Sequence, residues 1–364
     1  MRVLSLAFSN YRNLRASTFC PAENVNVIYG DNAQGKTNLL EAIWLFTGGR
    51  SFRGAKDAEL IAFLEKKAVL NLEFFAQNRE QTASIDLAYP KRKITLNGVE
   101  KKSSAALVGN FCAVVFSPVH LYLVKEGPMI RRKFLDAAIC QIKPAYAAAL
   151  HKYNQTLLQR NSLLKDLRFH ADLLDTLEIW EEKLARYGAF LISERLKYCE
   201  QLGPHAKQVY AGISDGKEQL FLAYQASFGA LEDGENLEQK LFSCLQKKRV
   251  DDLAAGYTSV GPHRDDLELS LNGRSVKAFG SQGQQRSCVL ALKLAEASIL
   301  RARIDEKPII LLDDVMSELD VSRQNYLLDF VKDWQVFITC CDASGILGRN
   351  DGKKFRIENG EIFT

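Results

Sequence analysis

Gly30-Asp31-Asn32-Ala33-Gln34-Gly35-Lys36-Thr37 is the stretch from which the rest of this chain can be read. It follows the G-x-x-x-x-G-K-[ST] pattern of a loop that wraps phosphate groups. Its flanks suit that pattern. Val25-Asn26-Val27-Ile28-Tyr29 is a β-branched and aromatic run expected to form a strand. Asn38 to Phe46 favours a helix that ends at Gly48-Gly49. Glycines let successive backbone N–H groups converge on phosphate oxygens, and the helix N-terminus adds partial positive charge. Lys36 is expected to reach the β- and γ-phosphates, and the Thr37 hydroxyl to ligate Mg²⁺. A P-loop alone implies a nucleotide, not a function.

The 364 residues are 47% hydrophobic and 25% charged, as in ordinary globular proteins, and suffice for two lobes. A net charge of +4 is no polybasic signature, so nucleic-acid contacts would come from local patches. The eight cysteines form no C-x-x-C pair, and are expected to be free thiols of a reducing cytoplasm. Met1 to Leu6 is too short and polar for a signal peptide, and no apolar run approaches a membrane span. A cytoplasmic protein without a membrane partner is expected.

Up to about residue 116, strand signals alternate with the single P-loop helix. Val3–Phe8, Val69–Phe75, Ala83–Tyr89, Lys91–Leu96 and Phe111–Phe116 read as strands, with a hairpin turn at Asn97-Gly98. From about 119 to 250 helical periodicity takes over. Helices are expected near 128–141 and 144–170. Between 172 and 200 Leu174, Leu177, Trp180, Leu184, Tyr187 and Leu191 recur at helical steps, which suits a short coiled-coil arm or a bundle helix equally. Strands at Leu220–Tyr224 and Leu267–Leu271 follow, then a helix over 282–303, a strand Pro308–Asp313, a helix near 322–333 and a strand Val336–Thr339.

Pro308-Ile309-Ile310-Leu311-Leu312-Asp313 is apolar without interruption, as strands buried in parallel sheets are. It delivers Asp313-Asp314 to the sheet edge, where α/β folds bind nucleotides. Asp313 is expected to hold Mg²⁺ and Asp314 to polarise the attacking water. Ser281-Gln282-Gly283-Gln284-Gln285 opens the 282–303 helix, either as a plain cap or as a ligand for phosphate. Ser281 precedes Asp313 by 32 positions, across a helix roughly 30 Å long. Such a helix points Ser281 away from its own P-loop and leaves it to meet a phosphate held by a second copy.

A P-loop, then S-x-G-Q-Q, then Leu311-Leu312-Asp313-Asp314, then Ser317-Glu318-Leu319-Asp320 is the order of an ABC-type ATPase head. The chain resembles the structural-maintenance-of-chromosomes group, and within it the RecF family. Gly127 to Asp136, Gly261-Pro262-His263-Arg264-Asp265-Asp266, and Asp313 to Asp320 with Arg323 and Leu327 carry that resemblance. It implies an α/β fold: a P-loop NTPase head of ABC type with an inserted helical second lobe and a short coiled-coil-like arm. Residues 1–118 and 305–364 would form lobe I, and 119–304 lobe II. It implies ATP with Mg²⁺, a slow ATPase used as a switch, and head-to-tail homodimers formed on ATP. It also implies binding to single-stranded and gapped DNA near the nucleoid, with RecO and RecR mediators that load RecA. Gap repair, replication restart and the SOS response would be served. Lys36, Asp313 and Asp314 carry over as catalytic residues; Gly30 to Thr37 with Ser281, Gly283 and Gln284 as nucleotide-binding residues; and Asp320 as an interface residue.

Two positions depart from the wider ABC pattern. Asp314 stands where glutamate is usual, and Thr339-Cys340-Cys341 where a switch histidine is expected, so turnover should be slow. Val119 stands where family members tend to be acidic. Four basic clusters are candidate DNA contacts: Arg50 with Arg53, Lys91-Arg92-Lys93, Arg131-Arg132-Lys133 and Lys247-Lys248-Arg249. Arg50 and Arg53 are favoured because their loop follows the P-loop helix; Arg131 and Arg132 instead suit a brace between lobes. His263 and Arg264 are candidate nucleotide sensors, and Arg12 and Asn13 candidate nucleotide contacts. The alternative from another class is a transporter ATPase subunit docked on a membrane partner.

Overall fold

The computed structural model describes residues 1–88, 92–167, 169–230, 234–343 and 352–364. Its centre is a six-stranded sheet in the order Glu361–Phe363, Gly352–Glu358, Val25–Tyr29, Val336–Cys340, Ile309–Asp313, Ala113–Phe116. All neighbours pair in parallel except the terminal hairpin. The strand before the P-loop and the strand ending in Asp313 are therefore not adjacent, because Val336–Cys340 runs between them.

Both faces of this sheet are covered, which is why its strands read as unbroken apolar runs. Side chains alternate between two cores. Val25, Val27, Val114, Phe116, Ile310, Leu312, Val336 and Ile338 join the helices that follow Pro118. Ile28, Ala113, Val115, Ile309, Leu311 and Phe337 join the P-loop helix, Lys36–Leu45, and a second sheet. That sheet is antiparallel, in the order Ser17–Phe19, Arg2–Ser9, Lys67–Ala76, Arg79–Ala88, Lys93–Leu96, Val99–Lys101. Asn97-Gly98, Asn272-Gly273 and Asn359-Gly360 all turn with both residues at positive φ, as two-residue hairpins with a right-handed twist require. Gln77-Asn78 turns the same way without the Asn-Gly signal. Tyr89 and Lys91, assigned from sequence to strands, lie outside the described residues.

Three helices open on a proline at the first position, where no N–H is needed: Pro118–Lys125, Pro128–Ile142 and Pro144–Asp166. The last is shorter than expected, ending before 170. Its partner runs longer than expected, over Leu177–Ile213, continuing through Gly203 and Pro204. The two form an antiparallel hairpin in which Tyr146 meets Arg195, Arg160 meets Glu181 and Leu164 packs with Leu177. This is the short arm. Its tip has a small core of its own, while its root packs on the helix Gln282–Ile304. A three-stranded sheet, Arg274–Ser275, Asp266–Leu271 and Leu220–Gln225, completes this side. Among the described residues no helix is long and apolar enough to cross a membrane.

Candidate functional site

The loop from Gly30 to Thr37 needs glycine at two points. Gly30 and Gly35 hold φ of 146° and 118°, and Ala33 is also left-handed at 66°. A Cβ on Gly35 would lie 2.7 Å from Leu14 Cδ2. Lys36 is buried, and its ammonium donates to the carbonyls of Gly30 and Asp31, the latter at 2.9 Å. The amine thus closes the loop on itself.

Thr37 lies in the first turn of the P-loop helix, and its hydroxyl donates to Asp313 Oδ1 at 2.7 Å. Thr339, on the strand between, donates to the same oxygen at 3.0 Å. Its hydroxyl also accepts the N–H of Asp314 at 2.9 Å. Asp314 is left-handed, with φ 53°, so the chain turns sharply as it leaves the strand. Burial pushes the Asp313 carboxyl above the usual carboxylate range, against donation from Thr37 and Thr339; nearby Asp314 adds to the rise and Arg53 opposes it. The expected pairing of the P-loop with the Asp313 strand is present. In Thr339-Cys340-Cys341, the stretch where a switch histidine was expected, the Cys341 sulfur lies 3.9 Å from Lys36 Nζ and 3.4 Å from Asn32 Oδ1.

These residues suit a triphosphate with Mg²⁺. Oxygen donors match a hard cation, and a site of one or two carboxylates completed by phosphate and water is how Mg²⁺ is usually held. Among the described residues no cluster of three metal-binding side chains competes with it. A Thr37 proton committed to Asp313 leaves the hydroxyl lone pairs for the cation.

Asn13 donates to the Ala33 carbonyl at 3.0 Å and accepts from Asn38 at 2.7 Å; Arg53 donates to Asn38 Oδ1 at 2.9 Å. Asn13 therefore touches the loop itself. Arg12 does not. It turns to the fully buried Glu41 of the P-loop helix at 2.7 Å, where Tyr11 and Ser51 also donate. Sequence reasoning missed Glu41, whose position inside an apolar helix was the available signal. The Arg50–Arg53 loop is thereby tied to the P-loop helix through Ser51 and Arg53.

Ser281 is exposed and caps the helix Gln282–Ile304, accepting from Gln284 N while its own N–H donates to Gln284 Oε1. Among the described residues none of its hydrogen bonds, nor those of Gly283 and Gln284, reaches the P-loop. They reach Arg323 and Glu218 instead. Arg323 donates to Gly283 O at 3.2 Å and Ser287 Oγ at 2.8 Å and pairs with Asp320. Gly283 and Asp320 thus form one surface.

Other expectations need correction. Arg131 is buried, bidentate on Asp266 at 2.6 and 2.8 Å, and also donates to the Leu123 and Glu126 carbonyls. A buried guanidinium with four of its five N–H groups so committed is poorly placed for a phosphate; it ties the helix Pro128–Ile142 to the strand Asp266–Leu271, within 119–304 and not between the lobes. Arg132, half-buried, donates to Asp265 O at 2.6 Å, and burial lowers its affinity for a proton. Arg92 is bidentate on Asp57, and Arg249 on Glu181, so two further clusters lose their arginines to ion pairs. His263 makes no hydrogen bond to the P-loop among the described residues. It sits between Tyr153, 2.7 Å away, and the Thr258 carbonyl, and burial lowers its pKa to about 4. Arg264 donates to the same carbonyl and stacks on Tyr257.

The RecF/RecN/SMC N terminal domain family matches residues 2–351. The DNA replication and repair protein RecF of Acetivibrio thermocellus is 39% identical over the whole of both chains. The structure of a recombination mediator protein RecF with ATP, of the RecFOR pathway, superposes with a TM-score of 0.91 at 40% identity, covering 100% of this chain and 97% of that one. The Smc head domain of Pyrococcus furiosus shares the fold, with a TM-score of 0.55 at 16% identity over 99% and 95% of the two chains. The fold is thus that of an ABC-type ATPase head, and the chain belongs to the RecF family of DNA replication and repair proteins.

Proposed function

We propose that this chain is an ATP-switched DNA clamp of recombinational repair. The observation that carries the reading is the 2.7 Å hydrogen bond from Thr37 to Asp313, which joins the phosphate loop to the acidic strand end. Gly30 to Thr37 hold the triphosphate, with Lys36 turning from the Gly30 and Asp31 carbonyls to the β- and γ-phosphates. Mg²⁺, when bound at Thr37 and Asp313, neutralises charge that develops between the phosphates. Asp314 orients the attacking water. Its side chain is one methylene shorter than the usual glutamate, and Thr339-Cys340-Cys341 offers no histidine to assist, so hydrolysis is slow and times the bound state.

Ser281, Gly283 and Gln284 meet the nucleotide of a second copy. Support comes from the exposure of Ser281 and from the absence of any hydrogen bond between this group and its own P-loop among the described residues. Two ATP molecules then close a head-to-tail dimer. We take residues 1–118 with 305–364 as one lobe and 119–304 as the other, with the Arg131–Asp266 pair lying inside the second.

Single-stranded and gapped duplex DNA are the proposed substrates, in a cytoplasmic, nucleoid-associated setting, with RecO and RecR as partners that load RecA at gaps. Arg50 and Arg53 are the favoured phosphate contacts. Arg53 is exposed, and its loop is tied to the P-loop helix, so DNA and nucleotide can influence one another. Nothing in the site favours the transporter reading.

Light scattering with ATP, ADP or no nucleotide, with and without gapped DNA, tests this reading. A dimer that forms only with ATP and retains DNA is expected. A protein that stays monomeric with ATP at micromolar concentration would remove the trans site.

A further inference from the structure

The strand between the two halves of the site carries a residue without an assigned role. Thr339 is buried, 1% exposed, and the parallel register sets it beside Asp313 on one side and Ile28 on the other. Side chains on this face of the sheet, with Phe337 two positions earlier, look toward the P-loop helix. Its hydroxyl does two things at once. It donates to Asp313 Oδ1 at 3.0 Å and accepts from the Asp314 backbone at 2.9 Å.

Each bond has a distinct consequence. Donation to Oδ1 adds to that from Thr37, so both hydroxyls converge on one carboxylate oxygen, and Oδ2 accepts from neither. The carboxylate plane is thereby held in one orientation. The second bond supports Asp314 at φ 53°, a left-handed conformation that is uncommon for residues other than glycine. Without the Thr339 oxygen, the Asp314 N–H would lose this partner at the point where the chain turns. An amide left unpaired in a half-buried turn is costly, and the turn would relax.

We propose that Thr339 is a positioning residue for hydrolysis, whose single hydroxyl sets both carboxylates, Asp313 toward the cation and Asp314 toward the water. This rests on the reading of the site as an ATPase. The residue touches neither nucleotide nor water; it acts through the two aspartates. Its place on the intervening strand explains why one side chain reaches both: the strand's C-terminal end lies alongside the turn at Asp313-Asp314.

Three variants of the full chain test it: Thr339→Val, Thr339→Ser and Thr339→Ala. Valine keeps the shape and removes the hydroxyl. Serine and alanine both lack the γ-methyl and differ from one another only in the hydroxyl, so their comparison survives a valine variant that does not fold. Phosphate release is measured against ATP and against Mg²⁺, with ATP binding measured separately in EDTA. The expected result is a fall in kcat of about tenfold or more for alanine and valine. KM should stay within about twofold, the half-saturating Mg²⁺ concentration should rise several-fold, and binding in EDTA should be unchanged. Serine should restore kcat to within about threefold of wild type. Alanine turning over ATP as fast as serine, or valine as fast as wild type, would overturn the role of the hydroxyl while leaving the ATPase reading intact. A wild-type protein that neither binds nor hydrolyses ATP overturns both.

Discussion

Arg323 reaches from the helix Val321–Phe330 to the carbonyl of Gly283, 3.2 Å away, and so ties the start of the helix Gln282–Ile304 to Asp320. Two segments far apart in the chain thereby move as one surface. Arg323→Ala is expected to weaken ATP-dependent dimerisation by roughly tenfold, about 1.4 kcal/mol. Nucleotide binding by the monomer should be unchanged. Sedimentation against protein concentration, with ATP present, reads the first; fluorescent-nucleotide titration reads the second.

Ser281→Arg puts a long cation at an exposed cap. The capping bond is lost, which costs about 1 kcal/mol of stability. The expected effect on dimerisation is larger, on the order of a hundredfold, with ATP binding by the monomer spared. Equal loss of binding and dimerisation would place Ser281 in its own subunit's site.

Lys36→Arg retains the charge but presents a planar fork where a compact ammonium fits between the Gly30 and Asp31 carbonyls. Hydrolysis should fall by about tenfold or more while ATP affinity changes by no more than about threefold. Unchanged turnover would contradict the role assigned to Lys36.

Two arginines once grouped as DNA contacts should now behave oppositely. Arg131→Ala leaves Asp266 without its bidentate partner and is expected to destabilise the fold by roughly 3 kcal/mol. Arg53→Ala should leave urea stability nearly unchanged and reduce the salt dependence of DNA binding by about one phosphate's share. A stable Arg131→Ala protein with weakened DNA binding would reverse this assignment.

His263 makes stability depend on pH. Its folded pKa of about 4 lies below its unfolded value, so the unfolded chain takes up the proton first. Stability is fully present above about pH 6.5 and is lost as pH falls toward 4, by up to roughly 3 kcal/mol. Urea unfolding across that range should show a shallower slope for His263→Gln than for wild type.

The P-loop, the acidic strand end and the Asn97-Gly98 turn were legible because each rests on local chemistry: glycine at positive φ, an apolar run ending in carboxylates, a two-residue turn. Strand order within the central sheet was not legible. The long helix through Pro204 was missed because its packing along both sides outweighs one lost backbone bond.

Charge was the least readable property. The composition names every arginine and does not say which is spent on a buried carboxylate, since Asp266 lies 135 residues from Arg131. Sequence by itself determined the phosphate-loop pattern ending at Lys36-Thr37 and the apolar run ending at Asp313, because each is a local pattern of residue types. Only the tertiary structure decided that Thr339 stands between the halves of that site, because parallel register is set by packing on both faces of a sheet and leaves no mark on neighbouring residues.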